Sequence, residues 1–164
     1  MKTIKKEFLI YTIEELDETA QQAAHEAWMQ SGYEYPWLYE SLESVKHFLS
    51  FFGSDIEDYS LGTWGNSYID IQDLSNDNIR GINKKALAKM DLSDGYDIGE
   101  GLKEDVIKYF EKTGDLKFAI KSVIDNAVSA IVSDMEYNES LEAFIETANA
   151  DEWTFLESGE RYFE

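Results

Sequence analysis

Between residues 115 and 137 apolar side chains recur every third or fourth position, at Leu116, Ile120, Val123, Ile124, Ala127, Val128, Ile131, Val132 and Met135. That period lays one wide stripe along an α-helix, a rod of roughly 30 Å, about the width of a small domain. The stripe is β-branched and carries no His, no Cys and no inward carboxylate pair, so it reads as core. The rest of the chain is expected to organise around it.

Taken in order, residues 2–11 alternate loosely and are rich in Ile, Phe and Tyr, the pattern of a first strand. Thr12, with Glu15 three residues on, signals a capping box and a helix whose buried stripe is Ile13, Leu16, Ala20, Ala23, Ala24, Ala27 and Trp28. Glu14, Glu15, Asp17, Glu18 and Glu26 are left to water, and acids in a first turn are favoured by the helix dipole. After Gly32 comes an aromatic turn holding the only proline, Pro36, which suits the first turn of a helix over 37–52. Leu38, Leu42, Val45, Phe48, Leu49 and Phe52 of that helix face inward, Glu40 and Glu43 outward.

The period then changes to that of strands. Ile56, Tyr59 and Leu61, then Tyr68, Ile69 and Ile71, predict a hairpin about Thr63-Trp64-Gly65-Asn66. Helices are predicted over 75–90, weakened by Gly81, over 102–113, ending at Gly114, and over 139–149, capped by Asn138; residues 91–101 read as the longest loop. A terminal hairpin joins 153–156 to 161–163 through Glu157-Ser158-Gly159-Glu160. Strands at both ends with helices between them predict a single α+β domain over 1–164, an antiparallel sheet of four to five strands packed on the long central helix with several further helices.

Composition changes the picture mainly by exclusion. The chain of 164 residues is 43% hydrophobic, enough for one core. Having no cysteine, it can build no disulfide, zinc-thiolate site or thiol nucleophile. The apolar run after the basic start is too short for a signal peptide or membrane span, so a soluble, cytoplasmic protein is expected.

Charge changes it more. The net charge is -20, from 34 acids against 14 bases. Residues 1–6 carry +3, 7–60 carry -11, 61–133 carry -3 and 134–164 carry -9. Such a field repels nucleic acid and anionic lipid and draws in basic surfaces. Twelve of the fourteen bases are Lys and large aliphatics are plentiful, which argues against salt adaptation as the cause. Duplex DNA carries one charge per ~1.7 Å of axis, so a charge of this size matches about 34 Å of duplex. A chain of this length folds to a body roughly 40 Å across, a matching scale.

Conventional chemistry finds little support. With Gly95 at position 6 of a calcium loop, Met90, Leu92, Asp94 and Gly101 fall at positions 1, 3, 5 and 12; three of the four cannot ligate. Weaker cation binding by Asp91, Asp94, Asp97 and Glu100 stays open. His25 and His47 lie on separate predicted helices without a nearby partner, and read as structural or surface residues rather than a general base. Gly99-Glu-Gly101 follows no strand and lacks Lys and Ser, so it is no phosphate loop. Lys84, Lys85 and Lys89 form a small helical patch that balances charge. No cofactor and no metal are expected, and the chain is not read as an enzyme.

The run Tyr11-Thr-Ile-Glu-Glu-Leu-Asp-Glu-Thr-Ala-Gln-Gln-Ala-Ala, then Glu34-Tyr-Pro-Trp37, then Asp58-Tyr-Ser-Leu-Gly62 and Ser67-Tyr-Ile69, resembles a group of small acidic proteins encoded by bacteriophages and prophages. Some of them carry an antitoxin-like label. Their setting is similar to that of anti-defence proteins, including inhibitors of CRISPR effectors and restriction enzymes. The resemblance covers about the first 70 residues and brings no catalytic motif. Together with the split acidic blocks, it implies an inhibitor that occupies the basic groove of a nucleic-acid-processing host protein, with carboxylates in place of phosphates and no direct contact with nucleic acid. The residues expected to carry that contact are Glu14, Glu15, Asp17, Glu18, Glu34, Glu40, Glu43, Asp55, Glu57, Asp58, Asp151, Glu152, Glu157 and Glu160. Trp37, Tyr39 and Trp64 are candidate anchors. The alternatives are an antitoxin-like protein that neutralises a basic toxin, and a small enzyme whose pocket gathers His25 or His47 with carboxylates.

Overall fold

The computed structural model describes residues 7, 9–92 and 98–163. Among them helices dominate. There are seven α-helices and two sheets, each of only two strands, so the expected sheet of four to five strands on a central helix is corrected to a helical fold with two small hairpins. The apolar runs at the chain ends explain the difference. Of the predicted strand over 2–11, the described part contributes one bridge, Tyr11 to Phe155, and the terminal hairpin pairs only Thr154 with Tyr162 and Phe155 with Arg161. Their aromatic side chains are used in packing against helices rather than in extending a ladder.

The chain forms two compact units, residues 1–34 with 136–164 (unit 1) and residues 35–135 (unit 2). Unit 2 holds the larger core. The long helix α6, Leu116–Asn138, most of which lies in unit 2, buries Leu116, Ala119, Ile120, Val123, Ile124, Ala127, Val128, Ile131 and Met135; of the predicted stripe Val132 is only half-buried, and Ala119 joins the core outside it. Helix α2, Leu38–Ser50, contributes Leu42, Val45, Phe48 and Leu49 and packs on α5, Gly99–Thr113. Helix α5 stops at Gly114, whose φ of +69 lets the chain turn into α6. The predicted helix over 75–90 breaks at Gly81, φ +86, into α3, Asn76–Ile79, and α4, Lys84–Ala88. Helix α4 is held to α5 by packing and by the Lys84–Glu111 ion pair. Strands β1, Ile56–Ser60, and β2, Tyr68–Ile71, form an antiparallel hairpin that sets Ile69 into the core.

Unit 1 is built from both ends of the sequence. The Thr12–Glu15 box is present, with Glu15 Oε2 accepting from the Thr12 amide at 2.8 Å, but it closes only a short 3-10 turn, Ile13–Glu15. The helix proper, α1, Glu18–Gln30, starts at a second cap, where Asp17 Oδ1 accepts from the Ala20 amide at 2.8 Å. Helix α7, Leu141–Ala150, is capped by Ser140 rather than Asn138. The hairpin of β3, Thr154–Phe155, and β4, Arg161–Tyr162, folds over α1. At its turn Gly159, φ +86, crosses so closely that a Cβ there would stand 2.2 Å from the Ala20 carbonyl oxygen. Ile13, Leu16, Ala20, Ala24, Phe144, Ala148 and Phe155 form the core between these elements.

Candidate functional site

Fifteen acids stand against one base among the described residues of unit 1. The first and last acidic stretches of the sequence therefore meet in one small body. Asn149 of α7 donates to Glu14 Oε1 at 3.0 Å, and the Tyr11–Phe155 bridge joins the same two stretches again. Glu14, Glu15, Asp17, Glu18, Glu34, Asp151, Glu152, Glu157 and Glu160 all lie in this unit and all are exposed. The other five expected residues, Glu40, Glu43, Asp55, Glu57 and Asp58, lie in unit 2. Glu43 is half-buried and paired with Lys46 at 2.6 Å, which raises the lysine pKa above its ordinary value; the remaining four are exposed.

Some of these carboxylates have ordinary structural work. Glu15 and Asp17 satisfy amides at helix starts, where the dipole also favours them. Others stand where they weaken the fold. Asp151 and Glu152 end α7, at the negative pole of its dipole. Glu152 also takes a left-handed φ of +54. Its amide donates to the Asn149 carbonyl at 3.2 Å and that of Trp153 to Ala148 at 2.8 Å, the Schellman closure that normally has glycine in this place. In unit 2, Asp58 and Asp70 are directly paired across the β1–β2 ladder, a juxtaposition of like charges.

The same hairpin carries Trp64 at its turn, 93% exposed, with Tyr59 and Tyr68 also exposed on its strands. From residue 47 to residue 79 the chain has six acids and no Lys or Arg. The Tyr68 hydroxyl donates to Asp58 Oδ2 at 2.9 Å, which holds the tyrosine proton and raises its pKa above 10.0, with Asp58 and Asp70 charges adding to the effect. Trp64 is therefore an aromatic tip on an anionic arm. Trp37, by contrast, is half-buried and packs edge-on against Tyr35 at 5.8 Å, while Tyr39 is 66% exposed on α2.

His25 Nε2 donates to the Glu139 carbonyl at 2.7 Å, and its ring packs between Trp28 and Phe144. His47 lies on α2, in the other unit. Among the described residues there is no cluster of three potential metal ligands and no helix long and apolar enough to cross a membrane. Asp94 and Asp97 of the weak cation reading lie outside the described residues.

One feature of unit 1 escapes the sequence reading. Trp28, Phe144, Trp153 and Phe155 wall a cavity of about 220 Å³, opened by Ala24, Ala27 and Gly159. At its mouth the Arg161 guanidinium lies 3.6 Å over the Trp153 ring and 4.8 Å from Phe163. The only hint in the sequence is a lone base in an otherwise acidic tail.

No family model matches the chain, and no match is found among curated proteins or solved structures.

Proposed function

We propose that this protein is a phage-encoded inhibitor that binds the basic nucleic-acid groove of a host defence protein, a CRISPR effector or a restriction enzyme, through carboxylates that take the place of phosphates. The observation that carries the reading is that acids are kept where the fold would be more stable without them. Asp58 and Asp70 face one another, Asp151 and Glu152 sit at the wrong end of a helix, and Glu152 occupies a glycine conformation. A like-charge cross-strand pair costs about 0.5 kcal/mol. An acid at a helix C-terminus costs a similar amount, and a left-handed non-glycine residue about 1–2 kcal/mol. Together these are a sizeable part of a typical stability of roughly 5–15 kcal/mol. Acids retained only for solubility could stand anywhere on the surface; these stand at costly positions, as groups at binding sites do.

A basic groove would relieve the two charge costs, at the Asp58–Asp70 pair and at the end of α7, by supplying the opposite charge; the backbone cost at Glu152 would stay. Trp64 would provide the apolar anchor that a purely ionic contact lacks. The test is titration of the protein, at low salt, against purified CRISPR nucleases and restriction enzymes, with competing duplex DNA. The expected result is a complex that excludes DNA and whose affinity falls steeply with salt. Failure to form a complex with any of these nucleases at low salt overturns the reading.

A further inference from the structure

We propose that the aromatic cavity of unit 1 is a binding site for an aromatic carboxylate, with the ring inside the cavity and the carboxylate on Arg161. Size supports the first half. An apolar cavity of 150 Å³ accepts benzene, and this one, about 220 Å³, is walled by Trp28, Phe144, Trp153 and Phe155, room for one ring with a short side arm. Aromatic walls also favour an aromatic guest through offset and edge-to-face contact.

Charge supports the second half. Arg161 is the one base among the described residues of unit 1, yet it forms no ion pair with any of the fifteen described acids there. It is stacked instead on Trp153 and Phe163. Stacking uses the face of the guanidinium and leaves its N–H edge free, and that planar fork matches a carboxylate bidentately. A neutral apolar guest would leave this cation unused. The site rests on none of the carboxylates of the proposed inhibitory surface and is independent of that reading.

The two sources of such a group are a free aromatic acid and the C-terminal aromatic residue of a peptide. Tryptophan fluorescence and calorimetry on the full chain would compare 3-phenylpropionate with 3-phenylpropanamide, and acetyl-Gly-Gly-Phe with its C-terminal amide. At least one acid is expected to bind roughly tenfold tighter than its amide, a difference of about 1.4 kcal/mol. The tighter of the two acids identifies the source. Arg161→Gln is expected to erase the preference for acid over amide, and Ala27→Leu, which fills an exposed edge of the cavity, to weaken both acid and amide. Circular dichroism confirms that each variant is folded. Equal binding of acid and amide, a preference that survives Arg161→Gln, or no binding of any probe at millimolar concentration overturns the proposal.

Discussion

Asp58 of β1 and Asp70 of β2 stand directly opposite one another in a two-stranded hairpin, with the Tyr68 hydroxyl donating to Asp58 as the only hydrogen bond that either side chain receives from another side chain among the described residues. Replacing one of them should therefore stabilise the protein. Asp70→Asn is expected to raise stability by about 0.5 kcal/mol at low ionic strength, with the gain shrinking as salt screens the repulsion. Thermal melts across a salt series check this. On the proposed function, the same substitution weakens the complex with a basic partner, so stability and affinity move in opposite directions.

Glu152 offers a second case. At φ +54 it fills the place in the α7 closure that glycine prefers, so Glu152→Gly is expected to stabilise by about 1 kcal/mol, measured by denaturant midpoint at constant m-value. A destabilised variant would mean that the Glu152 side chain contributes more to the fold than its strained backbone costs.

Gly159 should respond in the opposite sense. Alanine there meets the Ala20 carbonyl oxygen at 2.2 Å as well as an unfavourable φ of +86, and a loss of about 3 kcal/mol is expected. Gly65→Ala is the control. Its φ of +98 is also positive but no atom lies within 4 Å, so only the backbone cost of about 1 kcal/mol applies.

Two tyrosine hydroxyls donate to carboxylates, Tyr68 to Asp58 at 2.9 Å and Tyr137 to Glu146 at 3.0 Å, and both pKa values are raised above 10.0. The folded state holds these protons more tightly than the unfolded one. Their contribution to stability is complete below pH 10.0 and is lost as pH rises through the higher folded values. Ultraviolet titration of phenolate formation should show two late-ionising groups, one abolished by Tyr68→Phe and the other by Tyr137→Phe. In Asp58→Asn, Tyr68 is expected to ionise earlier than in the parent protein.

Trp64, at 93% exposure, supports little of the fold, so Trp64→Ala is expected to change stability by less than about 0.5 kcal/mol. Loss of an anchoring tryptophan at an interface costs about 2 kcal/mol or more. On the proposed function, binding to a nuclease that the protein inhibits should therefore weaken more than tenfold in this variant while the melting curve stays in place.

What could be read in the chain followed from periodicity. The α6 stripe runs over many turns, so eight of its nine expected residues are buried and Val132 half-buried, and the β1–β2 hairpin follows the switch to shorter period around Thr63-Trp64-Gly65-Asn66. Local signals that compete were harder. Thr12 and Asp17 both cap, and only the geometry shows that the first closes a single turn while the second begins α1. Gly81 looked like a weak point in one helix and instead separates two. The sheet was over-read because Tyr11, Trp153 and Phe155 have strand-favouring side chains, whereas tertiary packing places Phe155 in the core with α1 and α7. The expected acidic residues were visible as composition, but the positions of Asp151 and Glu152 relative to a dipole and a left-handed turn were not. The cavity was invisible for a similar reason, since its walls come from two stretches far apart in the sequence, 24–31 and 144–163.

Unit 1 takes its parts from residues 1–34 and 136–164, whereas unit 2 is one unbroken stretch, 35–135. During vectorial synthesis on a ribosome, helix α1 must therefore wait for the β3–β4 hairpin to emerge before its apolar side is covered, after unit 2 already has its whole complement of residues. The exposed carboxylates of Asp17, Glu18 and Glu26 would help to keep that waiting segment in solution.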